Sequence, residues 1–261
     1  MSTINIFQIS FEIWGCIIGI ILCILTSSTL FGSDDKTGRK LWLMILLNNF
    51  LLVSDSLAYI YRGDMSFLGA VMTRVSNFLL FALEYIILGF FISYVLVIAG
   101  RVTDSRRKLG LLAYGILVLG AAGLAATPFT GVYFFFDETN HYCRGSGIVL
   151  SFISCGAALA ICIYMLWKAR GCLDRSEKIT FLSCISVFFI CMIGQFIFYG
   201  ISFMNVCITV SLLIIHLRHY SRMKEIQTEC RIEEAIRDAA ALSEWRGDTS
   251  DSSENRTGGR P

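Results

Sequence analysis

The feature that most constrains this chain is a succession of apolar runs of about 18–22 residues, close to the length a helix needs to cross a hydrocarbon core of about 30 Å. With 55% hydrophobic residues in 261 and a mean hydropathy of +0.66, there are too few polar residues to cover a soluble domain of this size. In lipid each backbone N–H and C=O must bond within the protein, which leaves helices as the economical solution for runs of this length. The sequence therefore predicts an all-α polytopic membrane protein of the plasma membrane, with spans near 12–31, 41–60, 75–99, 109–128, 147–167, 179–199 and 202–218. On this reading residues 1–218 form a seven-helix membrane domain, 219–243 a helical extension, and 244–261 a polar, disordered tail. The first ten residues carry no Lys or Arg, so the first run reads as a retained helix rather than a cleaved signal.

Charge sets the expected orientation. The connections at 32–40, 100–108 and 168–178 hold most of the loop cations, including Lys36, Arg106, Arg107 and Arg175, and Arg218, Arg222 and Lys224 follow the last span. The alternate connections are poor in cations. Cytoplasmic loops carry the excess of Lys and Arg, so the amino terminus is expected outside and the carboxyl terminus in the cytoplasm. Tyr59, Tyr61, Phe129 and the 133–136 aromatics mark the outer interface, and Trp42, Trp167 and Tyr220 the inner one.

Two carboxylates fall inside the spans, Asp55 in the second and Glu84 in the third. A carboxylate in hydrocarbon is costly, so each is expected to face the bundle interior with a partner or a role. The structural reading is a buried ion pair, with Arg74 in reach of Asp55, or a hydrogen-bonded cluster helped by Asn48, Asn49 or Gln195. The functional reading is a ligand pocket or protonation site lined by Asp55, Glu84, Asn48 and Gln195. The outer segment 131–145, which contributes Asp137, His141 and Arg144 as candidate ligand contacts, would close over it. Gly15 and Gly19 make a GxxxG face in the first span, a site for helix packing within the bundle or for dimerisation.

The ten cysteines lie mostly in apolar runs, where they act as small apolar residues, and no CxxC spacing suggests a metal. No GxSxG, HExxH or phosphate-cradling glycine loop occurs. The last span has no lysine to carry retinal. An intramembrane enzyme using Asp55 and Glu84 is the residual catalytic reading. No cofactor, metal or nucleic-acid partner is expected.

After the last span, 217–242 lacks Gly and Pro and is rich in helix formers. Met223, Ile226 and Cys230 sit at heptad-like positions, interrupted by Glu233 and Arg237, which reads as a marginal coiled coil. The outer motifs Tyr133–Asp137 and Tyr142–Gly145, the turn Gln195–Gly200, and this emergent helix together resemble the seven-helix sensor regions that precede histidine kinase cores or GGDEF diguanylate cyclase domains in Gram-positive bacteria. The resemblance spans residues 1–243. It implies a sensory module signalling through its last helix. Arg231–Ser243 is similar to the approach to a kinase phosphoacceptor helix, but Glu244, Trp245 and Arg246 stand where that family has the Gln-Ile-x-Pro-His-Phe type of sequence. The chain also has no phosphoacceptor histidine in that context, no ATP-binding box and no GGDEF sequence, so it is expected to lack the catalytic part, as a gene interrupted near residue 243 would. The expected function is relay of an extracytoplasmic or membrane stimulus to a cytoplasmic output partner. The lipid bilayer surrounds the module, and a homodimer would form through the first span and the 219–243 helix. The alternative is a small-solute transporter using the intramembrane polar residues.

Overall fold

A computed structural model describes residues 3–30, 35–99, 105–171, 173–197 and 202–254. It contains α1 (Thr3–Leu30), α2 (Lys36–Ile60), α3 (Phe67–Ala99), α4 (Ser105–Thr130), α5 (Ile148–Lys168), α6 (Arg175–Ile197) and α7 (Phe203–Glu254). Between α4 and α5 lies a hairpin of β1 (Phe134–Phe136) and β2 (Tyr142–Arg144). Among the described residues, five helical stretches are long and apolar enough to cross a membrane: Ile6–Ser28, Lys36–Ile60, Phe67–Ile98, Arg107–Thr130 and Ile148–Lys168. That composition marks a membrane protein. Large apolar side chains on their outer faces, such as Trp14 at 65% exposure and Leu119 at 75%, would be unfavourable against water and are satisfied by lipid.

The chain forms two compact units, Met1–His216 and Leu217–Pro261. In the first, α2 packs between α1 and α3, and α3 also meets α4 and α5. The core between them holds Leu41, Met44, Ile92, Val95, Ala113 and Met165, all at or near full burial. Gly15 and Gly19 explain the closeness of α1 to α2. A Cβ on Gly19 would overlap the Asn49 side chain, and one on Gly15 would come within 2.9 Å of Leu52. The small-residue face of α1 is thus filled by α2 of the same chain, the packing that small residues permit between membrane helices.

Helix ends follow local chemistry. Asp35 caps α2 by accepting from the Thr37 amide at 2.9 Å. Helix α4 stops at Gly131, whose φ of +65° suits glycine and whose amide bonds back to the Thr127 carbonyl at 2.8 Å. The second unit begins inside the long run of α7, whose described side chains from Lys224 to Ala240 are all exposed, Ile226 and Cys230 among them; Met223 is half-buried. Its surface is organised locally, with Arg218 3.7 Å from Glu225 and Lys224 over the Tyr220 ring. Helix α7 ends at Glu254, past the polar shift expected at residue 244.

Candidate functional site

Polar residues buried in the first unit gather where α1, α2 and α7 meet. Gln8 and Glu12 sit one turn apart on α1, and both are 1% exposed. Gln8 Nε2 donates to Glu12 Oε1 at 2.6 Å and reaches Asp55 Oδ2 at 3.5 Å. Asn205 Nδ2, from the first turns of α7, donates to the same Asp55 oxygen at 2.6 Å. The amide of Ser202, just before α7, donates to Gln8 Oε1 at 3.3 Å. Glu12 Oε2 is buried and finds no hydrogen-bond donor among the described residues. Two carboxyls thus share a buried site whose described donors are neutral amides, an expensive arrangement in a low-dielectric interior.

The same three helices are tied twice more by side chains. Asn48 Nδ2 of α2 donates to Thr209 Oγ1 of α7 at 3.1 Å, and Thr26 Oγ1 of α1 lies 2.9 Å from His216 Nδ1. Asn205, Thr209 and His216 recur at helical spacing, so one stripe of α7 meets partners on α1 and α2 at three successive levels. Asn49, beside this stripe, is taken up by α1: its Nδ2 donates to Cys23 Sγ at 3.7 Å.

Asp55 also lines a cavity of about 130 Å³. Its wall combines Tyr59 in the last turn of α2 and Arg62 after it, Asn77 and Glu84 of α3, Arg144 of β2, and Ser202, Met204 and Asn205 at the start of α7. A second cavity of about 150 Å³ lies beside it, lined largely by apolar side chains such as Ile87, Leu88, Phe91, Leu159 and Phe188. Glu84, Phe152 and Met204 line both.

The 131–145 segment contributes Tyr142 and Arg144 to this wall. Its register pairs Phe134 with Arg144 and Phe136 with Tyr142. Phe134 stacks on Phe81 of α3 with ring centroids 5.3 Å apart. At the turn, Asn140 adopts φ +56° and its Nδ2 donates to the Asp64 carbonyl at 2.8 Å and to Thr73 Oγ1 at 3.2 Å. Gly63, at φ +80°, returns a backbone bond to the Asn140 carbonyl at 3.2 Å. The hairpin is therefore docked on the α2–α3 connection by specific polar bonds.

Of the residues singled out in the sequence, Asp55, Glu84 and Arg144 come together on the cavity. Asn48 lies in the neighbouring polar stripe. Asp137 and His141 do not line the cavity; they build the hairpin turn. Asp137 Oδ1 accepts from the His141 and Thr139 amides at 2.8 and 3.0 Å and from Thr139 Oγ1 at 2.8 Å. These bonds, the one from the His141 backbone foremost, hold the exposed Asp137 carboxyl below its ordinary pKa. The side chain of Gln195 lies outside the described residues. Arg74, expected near Asp55, points instead to the hairpin, with its guanidinium 5.5 Å from the Phe136 ring centre. Sequence reasoning missed Gln8, Glu12 and Asn205. Among the described residues no cluster of three His, Cys, Asp or Glu side chains has the arrangement to hold a metal. Compared with known proteins, the chain matches no family model, no curated protein and no solved structure.

Proposed function

We propose that this chain is a sensory membrane module that relays an outer or membrane stimulus through its last helix to a cytoplasmic output partner. The observation that carries the reading is the composition of the cavity wall: Met204 and Asn205 of the last helix, with Ser202 just before it, stand in it beside Asp55 and Arg144. An occupant has differential contacts to offer as α7 shifts, and only such contacts move an equilibrium between two packings. The same helix continues to Glu254 and, from Lys224 to Ala240, exposes charged residues suited to an output partner. In this proposal α6 and the first part of α7 add two spans to the five apolar helices, with the basic connections inside. The resemblance to sensor regions of kinases and cyclases agrees with this arrangement.

A fusion tests it. Residues 1–243 are joined in register to a kinase or diguanylate cyclase core, and output is read in membranes. The expectation is that Asn205→Leu, which removes the shortest bond between α7 and Asp55, changes output at equal expression. Unchanged output across Asn205→Leu, Asn48→Leu and Glu84→Gln would refute relay through α7.

A second reading has one observation in its favour: the two cavities share Glu84, Phe152 and Met204, as a solute path would require. Transport predicts uptake of a labelled solute into proteoliposomes that is lost in Glu84→Gln. The relay reading predicts binding without flux.

A further inference from the structure

Building on the sensory reading, we infer that the ligand sensed is the proton: Glu12 and Asp55 hold one proton between them, which keeps the start of α7 tied to α1 and α2, and its release loosens that tie. The argument begins with what the two carboxyls are given. Glu12 is 1% exposed and Asp55 3%. They lie side by side, in hydrogen-bond contact with each other. Gln8 Nε2 serves both, at 2.6 Å to Glu12 Oε1 and 3.5 Å to Asp55 Oδ2, and Asn205 Nδ2 serves Asp55 Oδ2 at 2.6 Å. These donors are neutral amides, and no ion pair among the described residues brings a Lys or Arg to either acid. Two acceptors in contact need a donor between them, and Glu12 Oε2 is a buried oxygen that has none among the described residues. A proton is that donor. Adjacent carboxyls resist ionising together, so such a pair takes up and releases protons as a unit rather than as two independent acids. The short bond from Asn205 marks Asp55 as the carboxylate of the pair, which leaves the proton on Glu12.

The surroundings allow exchange. Asp55 lines the cavity of about 130 Å³, room for several waters at about 10–15 Å³ each. Among the described residues, the titratable or charged groups near the pair are the Cys16 thiol one turn beyond Glu12 on α1, Tyr59 one turn beyond Asp55 on α2, Arg62 after that helix, and Glu84 of α3. The hairpin adds Tyr142 and Arg144, each with a partner of its own. From α5 and the entry to α7 come Ile148, Phe152, Ser202, Met204 and Asn205, none of which titrates. The link to α7 follows from its two anchors. The Ser202 amide, just before α7, donates to Gln8 Oε1 of α1 at 3.3 Å, and Asn205 in the first turn of α7 donates to Asp55 of α2. The helix is thus fastened to α1 on one side of the shared proton and to α2 on the other. When the proton leaves, two like charges in a low-dielectric interior push α1 and α2 apart at this level, and one of the two anchors must lengthen. The tie is intact on the acid side, where the proton is bound, and is lost as pH rises through the titration of the pair.

The test uses the full chain in nanodiscs. Infrared difference spectra are recorded between mildly acid and alkaline buffer, and amide protection factors, which remove the intrinsic pH dependence of exchange, are measured in the same two buffers. The native protein should lose a carboxylic-acid absorption on alkalinisation. Glu12→Gln and Asp55→Asn should each abolish or shift that same absorption, because the shared proton belongs to both groups, and Glu84→Gln should leave it in place. Protection in the 207–212 backbone should fall by about tenfold in alkaline buffer, the factor for one strong side-chain bond between membrane helices. It should not fall in Glu12→Gln, whose amide supplies a donor at every pH. An absorption that survives unshifted in either single variant would mean independent acids and overturn the shared site. Should Asp55→Asn lack a melting transition, Glu12→Gln, which keeps the side-chain volume, decides alone. Native protection in 207–212 that is the same in both buffers would overturn the link to α7. The absorption and the 207–212 change as expected, with 217–240 unaltered by pH, would sink the relay and leave the proton site standing.

Discussion

Replacing Asn205 by Leu removes one donor from Asp55, and the structure allows the cost to be apportioned. Asp55 Oδ2 accepts from Asn205 at 2.6 Å and from Gln8 at 3.5 Å. The second distance is at the long limit of a hydrogen bond, so Asn205 carries most of the stabilisation. Bonds to charged groups are worth about 1.5–3 kcal/mol in soluble proteins. Side-chain bonds between membrane helices average about 0.6 and reach about 1.7 kcal/mol. The two ranges meet near 1.5 kcal/mol, and full burial on both sides argues for that upper membrane value. A double-mutant cycle isolates it: Asn205→Leu is measured alone and on an Asp55→Leu background, by reversible unfolding in mixed micelles. The coupling energy should be about 1.5 kcal/mol, with Asn205→Leu nearly harmless once Asp55 is gone. Effects that add within about 0.5 kcal/mol would mean that the two side chains do not depend on each other, and the description of the α2–α7 tie would fail.

Three further outcomes follow from other contacts. Gly19→Val should destabilise by about 1–3 kcal/mol through overpacking against Asn49, with partial recovery in Gly19→Val/Asn49→Ala, both read from melting curves. Tyr133→Phe should cost about 1 kcal/mol, because the fully buried Tyr133 hydroxyl donates to the Gly120 carbonyl at 2.9 Å. The hairpin turn should lose order in acid: the folded pKa of Asp137 lies below its ordinary value, so its contribution is present above the ordinary aspartate range and disappears as pH falls through the folded value. The Thr139 and His141 amide resonances report this, and Asp137→Asn should abolish the acid dependence.

The long helices were legible because membrane insertion demands long apolar runs, and Asp55, Glu84 and Arg144 stood out as charges at membrane depth or at its edge. What stayed hidden has physical reasons. Glu12 fell on the first residue of the predicted first span and Gln8 before it, because a hydropathy reading trims polar residues from a helix end, whereas α1 begins at Thr3. Asn205 carries no charge, and its meaning lies in register: Asn205, Thr209 and His216 form a stripe, as do Gln8, Glu12, Gly15 and Gly19 on α1, and matching two such stripes was the available signal. The strands were hidden because three residues are too few for an alternation to emerge. The turn was foreshadowed by Asp137 and Thr139, a side-chain-to-backbone pattern typical of tight turns. The wall contributed by α5 and α7 follows from how helices pack rather than from any single residue.

The central claim is that the state of the cavity is carried along α7. Hydrogen exchange of the full chain in nanodiscs, compared between the native protein and Asn205→Leu, tests it most directly. The account predicts altered protection in the 217–240 backbone as well as around residue 205. A change confined to the turns near residue 205, with 217–240 identical in the two proteins, would contradict it.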